Sequence, residues 1–144
     1  MRVVIDTNAL ISALIKADSS PAKIISLWRA GKIELALCPE IIEEIVRVLK
    51  YPKLQKRISD DEAARFLALL HTATTIVRLD ELVAVVDADP DDNKFVAVAV
   101  ASRAEAIISG DGHLLELGSY RDIAILTPAQ FLDNVWKRQA DDAG

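Results

Sequence analysis

The sequence predicts an α/β fold, a three-layer α/β/α sandwich around a parallel, Rossmann-like sheet of about five strands. Short aliphatic runs alternate with longer stretches that carry apolar residues at helical spacing. The aliphatic runs contain few polar residues, which is typical of strands covered by helices on both faces. The 144-residue chain shows no internal repeat and no low-complexity linker, so we expect one domain over residues 1–136 and a polar tail at residues 137–144.

Five aliphatic runs predict the strands. Each run is short and is followed by turn or helix-start residues. Because helical stretches separate most of the runs, consecutive strands are expected to lie parallel to one another. The strands are predicted at residues 2–5, 34–38, 74–79, 106–109 and 124–126.

Local start and stop signals define the first two helices. Asp6-Thr7-Asn8 are turn and N-cap residues ahead of an apolar helix at residues 9–15. The break Asp-Ser-Ser-Pro at residues 18–21 starts a second helix that ends at Gly31, because proline suits the first turn of a helix and glycine suits the position after its end.

Two further helices are predicted in the middle of the chain. The first begins at Pro39 and runs through Lys50, with an apolar stripe centred near Ile45. Tyr51-Pro52 ends it, because the residue before a proline disfavours helical backbone. A capping box over residues 59–62 precedes the second helix, at residues 63–70.

The last part of the chain opens with an apolar run at residues 82–86, to which we assign no structure, and an acidic turn at residues 87–92. The next helix, residues 93–103, is rich in alanine and valine and is therefore expected to be buried nearly all round. Two more helices are predicted at residues 113–117 and 127–136.

Net charge and composition constrain the partners and the compartment. The net charge of −5 argues mildly against bulk electrostatic binding of nucleic acid, since phosphate neutralisation needs Lys and Arg. The single cysteine, Cys38, and the lack of a signal peptide or a membrane-spanning stretch favour a cytoplasmic protein without membrane contact. One basic group is equally well interpreted as a solvated surface or as a nucleic-acid contact: Arg47, Lys50, Lys53, Lys56 and Arg57.

Four acidic residues are candidates for a divalent metal site. Asp6 follows the first predicted strand and Asp111 follows the fourth, and parallel sheets bind ligands beyond such strand ends, where the strand order reverses. Asp92 stands at the start of the buried helix, and Glu44 lies nearer the apolar stripe of its helix than Glu43 does. Converging carboxylates repel one another, and a hard cation such as Mg²⁺ or Mn²⁺ relieves that repulsion.

Each acidic residue also has a purely structural interpretation. Asp6 and Asp92 are suited to cap helices, Asp111 between two glycines is suited to a turn, and Glu44 is suited to a solvated helix face. Only the joint pattern favours a metal site. The sequence contains no cluster of Cys and His that would indicate structural zinc.

Four segments carry a family resemblance, and they are Val4-Ile-Asp-Thr-Asn8, Pro39-Glu-Ile-Ile-Glu-Glu-Ile-Val-Arg-Val-Leu49, Asp89-Pro-Asp-Asp-Asn-Lys-Phe-Val-Ala97 and Ile108-Ser-Gly-Asp-Gly-His-Leu-Leu115. Together and in this order they resemble the PIN-domain family, over nearly the whole chain. The last two segments are most similar to the branch that holds toxins of toxin–antitoxin pairs, the VapC-like ribonucleases.

The resemblance implies an activity, a site and partners. It implies hydrolysis of RNA with one or two Mg²⁺ or Mn²⁺ ions, homodimers and, in toxin members, a small antitoxin protein that blocks the cleft. The metal-binding and catalytic residues would be Asp6, Glu44, Asp92 and Asp111. Asn8 would orient Asp6, Ser109 would place a hydroxyl near the metal, and Lys94 and His113 are candidates for phosphate contact, with a surface role as the favoured alternative for each.

Other interpretations fit the pattern less well or stay open. A haloacid dehalogenase-type enzyme needs a second aspartate two residues after the first, where this chain has Asn8. A response-regulator receiver domain needs an acidic pair near the first strand, whereas Asp6 stands between Ile5 and Thr7. A non-catalytic PIN fold that binds RNA or protein and a housekeeping RNA-processing nuclease both stay open.

Overall fold

The computed structural model describes residues 1–79 and 93–136 of the chain. Strands and helices alternate along most of it, as the aliphatic runs predict. In chain order the elements are β1 (Arg2–Ile5), α1 (Thr7–Ile15), α2 (Ser20–Arg29), β2 (Glu34–Leu37), α3 (Pro39–Leu49), α4 (Pro52–Gln55), α5 (Asp60–Thr72), β3 (Thr75–Ile76), α6 (Asn93–Ser102), β4 (Ala106–Ile108), α7 (Gly112–Leu117), β5 (Ser119–Tyr120), β6 (Ile123–Leu126) and α8 (Pro128–Gln130), followed by a π-helical segment, Phe131–Trp136.

The strands form one sheet in the order β3-β2-β1-β4-β6-β5, parallel except for the pairing of β5 with β6. Strand β1 lies inside it, with Val3 paired to Leu35 of β2 on one side and to Ala106 of β4 on the other. Strands β2 and β3 lie on one side of β1, and the later strands β4, β6 and β5 lie on the other side. The strand order therefore reverses between β1 and β4, and the predicted α/β fold with a mostly parallel sheet is confirmed.

Helix α6 fixes one layer of the sandwich against the sheet. Seven of its ten residues are buried, and it packs on β1, β2 and β4. This confirms the burial predicted from its run of alanine and valine. Since the helix has almost no solvent-facing side, a charged residue within it needs a partner. Lys94 in its first turn is such a residue.

Several local features differ from the sequence-based expectation. The hairpin of β5 and β6 adds a sixth strand to the five predicted. Sequence reasoning missed β5 because its two residues are too short to show a hydrophobic pattern. The turn between α7 and β5 uses Gly118 with φ at 69°. Helix α3 ends near the predicted Tyr51-Pro52 break, but Pro52 then begins the one-turn helix α4, since proline fits a first helical position.

The predicted capping box of α5 is only half formed, and three predicted segments lie outside the described residues. Ser59 caps α5 by accepting from the backbone N–H of Glu62, but the Glu62 carboxylate accepts from the Ser59 hydroxyl instead of from a backbone N–H, so half of the predicted capping box is missing. The acidic turn with Asp92, the apolar run before it and the polar tail lie outside the described residues. None of the helices in residues 1–79 and 93–136 combines the length and apolar character needed to span a membrane.

The central position of β4 gives a stability prediction. Ile107 is completely buried, whereas Ile76 on the edge strand β3 is 43% exposed. We expect Ile107→Ala to lower the free energy of unfolding by about 2–5 kcal/mol, because it leaves a cavity, and Ile76→Ala to lower it by less than about 1 kcal/mol. Urea denaturation of both variants measures this difference, and equal losses would contradict the sheet order described above.

Candidate active site

Asp6 stands directly beyond the end of β1 and is 4% exposed. Its backbone N–H donates to the carbonyl of Ile108 at 3.0 Å, so the register between β1 and β4 continues into this residue. Its Oδ1 accepts from the N–H of Ala9 at 2.8 Å and thereby caps α1. The structural interpretation of Asp6 is therefore correct, but it uses only one carboxylate oxygen.

The second oxygen of Asp6 is held by Ser109, which follows β4. The buried Ser109 hydroxyl donates to Asp6 Oδ2, and the same Oγ accepts from the backbone N–H of Asp111 at 2.9 Å. Ser109 thus links the two aspartates that the sequence places after β1 and β4. Asn8, which was expected to orient Asp6, is exposed, and within the described residues the groups that donate to Asp6 are Ser109 and the backbone of Ala9 and Gly110.

Asp111 is less buried than Asp6 and faces a cleft. Its Oδ1 accepts from the N–H of His113 at 2.7 Å and caps the short helix α7, which confirms the turn-type interpretation. Its Oδ2 makes no hydrogen bond within the described residues. The cleft has a volume of about 220 Å³ and is also lined by Asn8, Ala9, Ser12, Pro21, Gly110 and Pro128. The carboxylate pair is therefore reached from solvent on the Asp111 side, where His113 is exposed as well.

Burial makes the ionised form of Asp6 costly. Burial is the largest influence and raises the pKa of the Asp6 carboxyl, and the charge of Asp111 raises it further. Hydrogen bonds from Ser109 and from the backbone of Ala9 and Gly110 act in the opposite direction, without cancelling the shift. A cation beside Asp6 and Asp111 would remove both the desolvation cost and the mutual repulsion.

Glu44, and not Glu43, is the glutamate of α3 that turns inward. Its side chain is 19% exposed and forms an ion pair with Lys94 of α6, whose side chain is 15% exposed. The surface role favoured for Lys94 is therefore wrong. Burial lowers the pKa of the Lys94 ammonium, and nearby Cys38 and Glu40 oppose this shift. Sequence reasoning missed this ion pair, although a lone lysine within a helix that lacks a polar face is a signal for a partner.

The donor set fits a hard divalent cation. Asp6, Asp111 and Ser109 offer carboxylate and hydroxyl oxygens, and Mg²⁺ is commonly held by one or two carboxylates with water and substrate phosphate completing the shell. In the part of the chain that the structure describes, no three His, Cys, Asp or Glu residues are grouped closely enough to hold a metal ion. Glu44 therefore does not join the pair in this arrangement, and Asp92 lies outside the described residues.

Fold and site together define a class of protein, an α/β protein with paired carboxylates at the switch point of a parallel sheet. Residues 2–113 match the family model of the PIN domain. The chain is 33% identical over 145 aligned positions to the uncharacterized protein MJ1680 of Methanocaldococcus jannaschii, covering 95% of this chain and 93% of that protein. The crystal structure of PAE2754 from Pyrobaculum aerophilum has a similar fold, with a TM-score of 0.60 and 20% identity over 92% of this chain and 88% of that one.

The chain belongs to the PIN-domain family. PIN domains are generally nucleases and usually bind divalent metal ions. The family therefore supports a hydrolase with a nuclease-type fold.

Because the pKa of Asp6 is raised, its charge should destabilise the folded protein. Replacing Asp6 with a neutral residue should therefore increase stability in a pH-dependent way. In EDTA at neutral pH, Asp6→Asn should raise the free energy of unfolding by roughly 0.5–2 kcal/mol, because the asparagine oxygen still caps α1, its amide nitrogen can donate to Ser109 Oγ in place of the bond that Ser109 donates to Asp6, and it carries no charge to desolvate. The penalty accumulates as pH rises from the unfolded-state pKa to the raised folded-state pKa, and it is complete above the latter. The gain should therefore vanish below about pH 4, where the carboxyl is protonated in both states, and be fully present once pH exceeds the folded-state pKa.

Urea denaturation across this pH range measures the gain. Asp122→Asn is the matched control, since Asp122 is exposed and the same change there should leave stability unaltered. A variant at position 6 that is less stable than wild type in EDTA at neutral pH would contradict the predicted cost of the buried charge.

Proposed function

We propose that this protein is a Mg²⁺- or Mn²⁺-dependent ribonuclease in which Asp6 and Asp111 hold the metal ion, while Asp92 and Glu44, the latter apart from this pair and bound to Lys94, are further catalytic acids. One observation carries the proposal: the buried Asp6 carboxylate is joined through Ser109 to Asp111 at the carboxyl ends of two neighbouring parallel strands. Open α/β sheets bind ligands at this point. The family supports the nuclease class, and the oxygen-only donor set supports the choice of metal.

Hydrogen bonds orient the side chain of Asp6 before any metal ion binds. Ser109 and the N–H of Ala9 each engage one oxygen of Asp6, which fixes its side chain. A carboxylate oxygen accepts more than one hydrogen bond or ligand, so Asp6 keeps acceptor capacity after capping α1. When bound, a divalent cation would supply an activated water and neutralise charge on the phosphate.

Two further roles complete the proposed mechanism. Asp92, which precedes Asn93 in the sequence, would accept a proton from the attacking water. The ion pair of Glu44 and Lys94 places an acid and a cation at the first turn of α6. Lys94 remains our candidate for phosphate contact on this ground, and exposed His113 is a second candidate because it adjoins Asp111 at the cleft.

Cleavage of single-stranded RNA by the pure protein with Mn²⁺ tests the proposal. Asp6→Asn, Asp92→Asn and Asp111→Asn should each lower kcat/KM by more than about 100-fold, since removal of even an outer-shell partner of a metal commonly costs 10–100-fold. The adjacent glutamates give a matched pair, in which Glu44→Gln should lose activity and Glu43→Gln should retain it. EDTA should abolish cleavage in every case. Equal turnover by wild type and Asp6→Asn would end the proposal and favour a non-catalytic binding module.

We further propose that the ribonuclease is the toxin of a toxin–antitoxin pair and works as a homodimer in the cytoplasm. The segments from Asp89 to Ala97 and from Ile108 to Leu115 resemble the toxin branch, and this resemblance supports the toxin role. Induced expression of the wild type in a bacterial host should arrest growth, and Asp6→Asn at the same protein level should not. Unimpaired growth with an active enzyme would favour housekeeping RNA processing.

A further inference from the structure

The segment of residues 47–57 is strongly basic in an acidic protein. It contains five cations and neither Asp nor Glu, whereas the whole chain carries a net charge of −5. It spans the end of α3 and all of α4. We call it the basic segment, and its charged residues are Arg47, Lys50, Lys53, Lys56 and Arg57.

Among residues 1–79 and 93–136, these charges have no ion-pair partner. All five cations are exposed, and none forms an ion pair within the described residues. Glu43 lies four residues before Arg47, a spacing at which helical ion pairs form, yet the two make no ion pair. The segment therefore presents a positive surface whose charge is available to an external anion.

The basic segment is also held firmly and displays an aromatic ring. Leu54 packs against the core and Ile58 is 4% exposed, so the backbone that carries Lys53 and Lys56 is anchored at two points. Tyr51 is 50% exposed and its hydroxyl makes no hydrogen bond within the described residues. An aromatic ring set among cations is one arrangement by which proteins bind single-stranded nucleic acid, with bases stacked on the ring and phosphates bound by the cations.

We propose that the basic segment is a binding surface for single-stranded RNA, in which its cations contact phosphates and the ring of Tyr51 stacks on a base. The inference rests on the proposed ribonuclease function and extends it to how substrate is held. Its position supports it: Arg47 lies one helical turn beyond Glu44, and Tyr51 follows the end of the same helix, between α3 and α4. A strand bound there would run along α3 toward Glu44, one of the proposed catalytic acids.

Fluorescence anisotropy with a labelled oligouridine in EDTA tests the surface apart from catalysis. Lys53→Ala combined with Lys56→Ala should weaken binding by about tenfold and lower the slope of log affinity against log salt by about 1.4. The charge-matched control, Lys23→Ala with Lys32→Ala, changes two exposed lysines outside the segment and should bind as wild type. Tyr51→Ala should lose about fivefold or more, whereas Tyr51→Phe, which keeps the ring face, should retain affinity. Thermal melts confirm that each variant is folded.

The outcomes separate this inference from the proposed function. Equal affinity for the Lys53/Lys56 variant and its control, or for Tyr51→Ala and wild type, would overturn the inference. So would binding of polyglutamate as tightly as oligouridine, which would indicate a surface for acidic protein. With Mn²⁺, the Lys53/Lys56 variant should raise KM for the RNA at unchanged kcat. Wild type that binds through the segment but does not cleave would refute the proposed function and leave this inference intact.

Discussion

The hydrogen bond from Ser109 to Asp6 is the interaction on which the site depends. It joins the ends of β1 and β4, the two neighbouring strands between which the strand order reverses. A carboxylate as buried as Asp6 is tolerated because each of its oxygens receives a donor, Ala9 N–H on one and Ser109 Oγ on the other. Ser109 also binds the backbone of Asp111, so one buried hydroxyl sets the relative position of both aspartates.

The buried charge of Asp6 and its repulsion with Asp111 destabilise the folded protein, and a bound cation would offset this cost. Hydrogen bonds satisfy Asp6 without removing its charge, and Asp111 adds a second charge nearby. Destabilising charges of this kind are typical of functional sites, where stability and activity oppose one another. The rest of the fold supplies rigidity, since buried β1 and β4 and the almost fully buried α6 leave the site little freedom to relax.

The sequence predicts what depends on local pattern and misses what depends on tertiary pairing. Strand β1, the buried α6 and the position of Asp6 and Asp111 at strand ends all follow from periodicity and the rules of parallel sheets. The role of Ser109 as a link spans 103 residues, and the ion pair of Glu44 with Lys94 spans 50, so local pattern cannot identify either partner. The buried α6 indicates only that Lys94 needs a partner, not which one. The two-residue strand β5 is also too short for periodicity to indicate it, whereas the equally short β3 lies within the longer β-branched run at residues 74–79.

The central claim is that Asp6 and Asp111 hold one divalent cation between them, and crystals soaked in Mn²⁺ test it most directly. We expect an anomalous difference peak coordinated by both carboxylates at the end of β1 and β4, and its loss in Asp111→Asn crystals treated in the same way. A peak elsewhere on the molecule, or none at saturating Mn²⁺ while Ser109 still bonds Asp6, would contradict the metal site and the ribonuclease mechanism built on it.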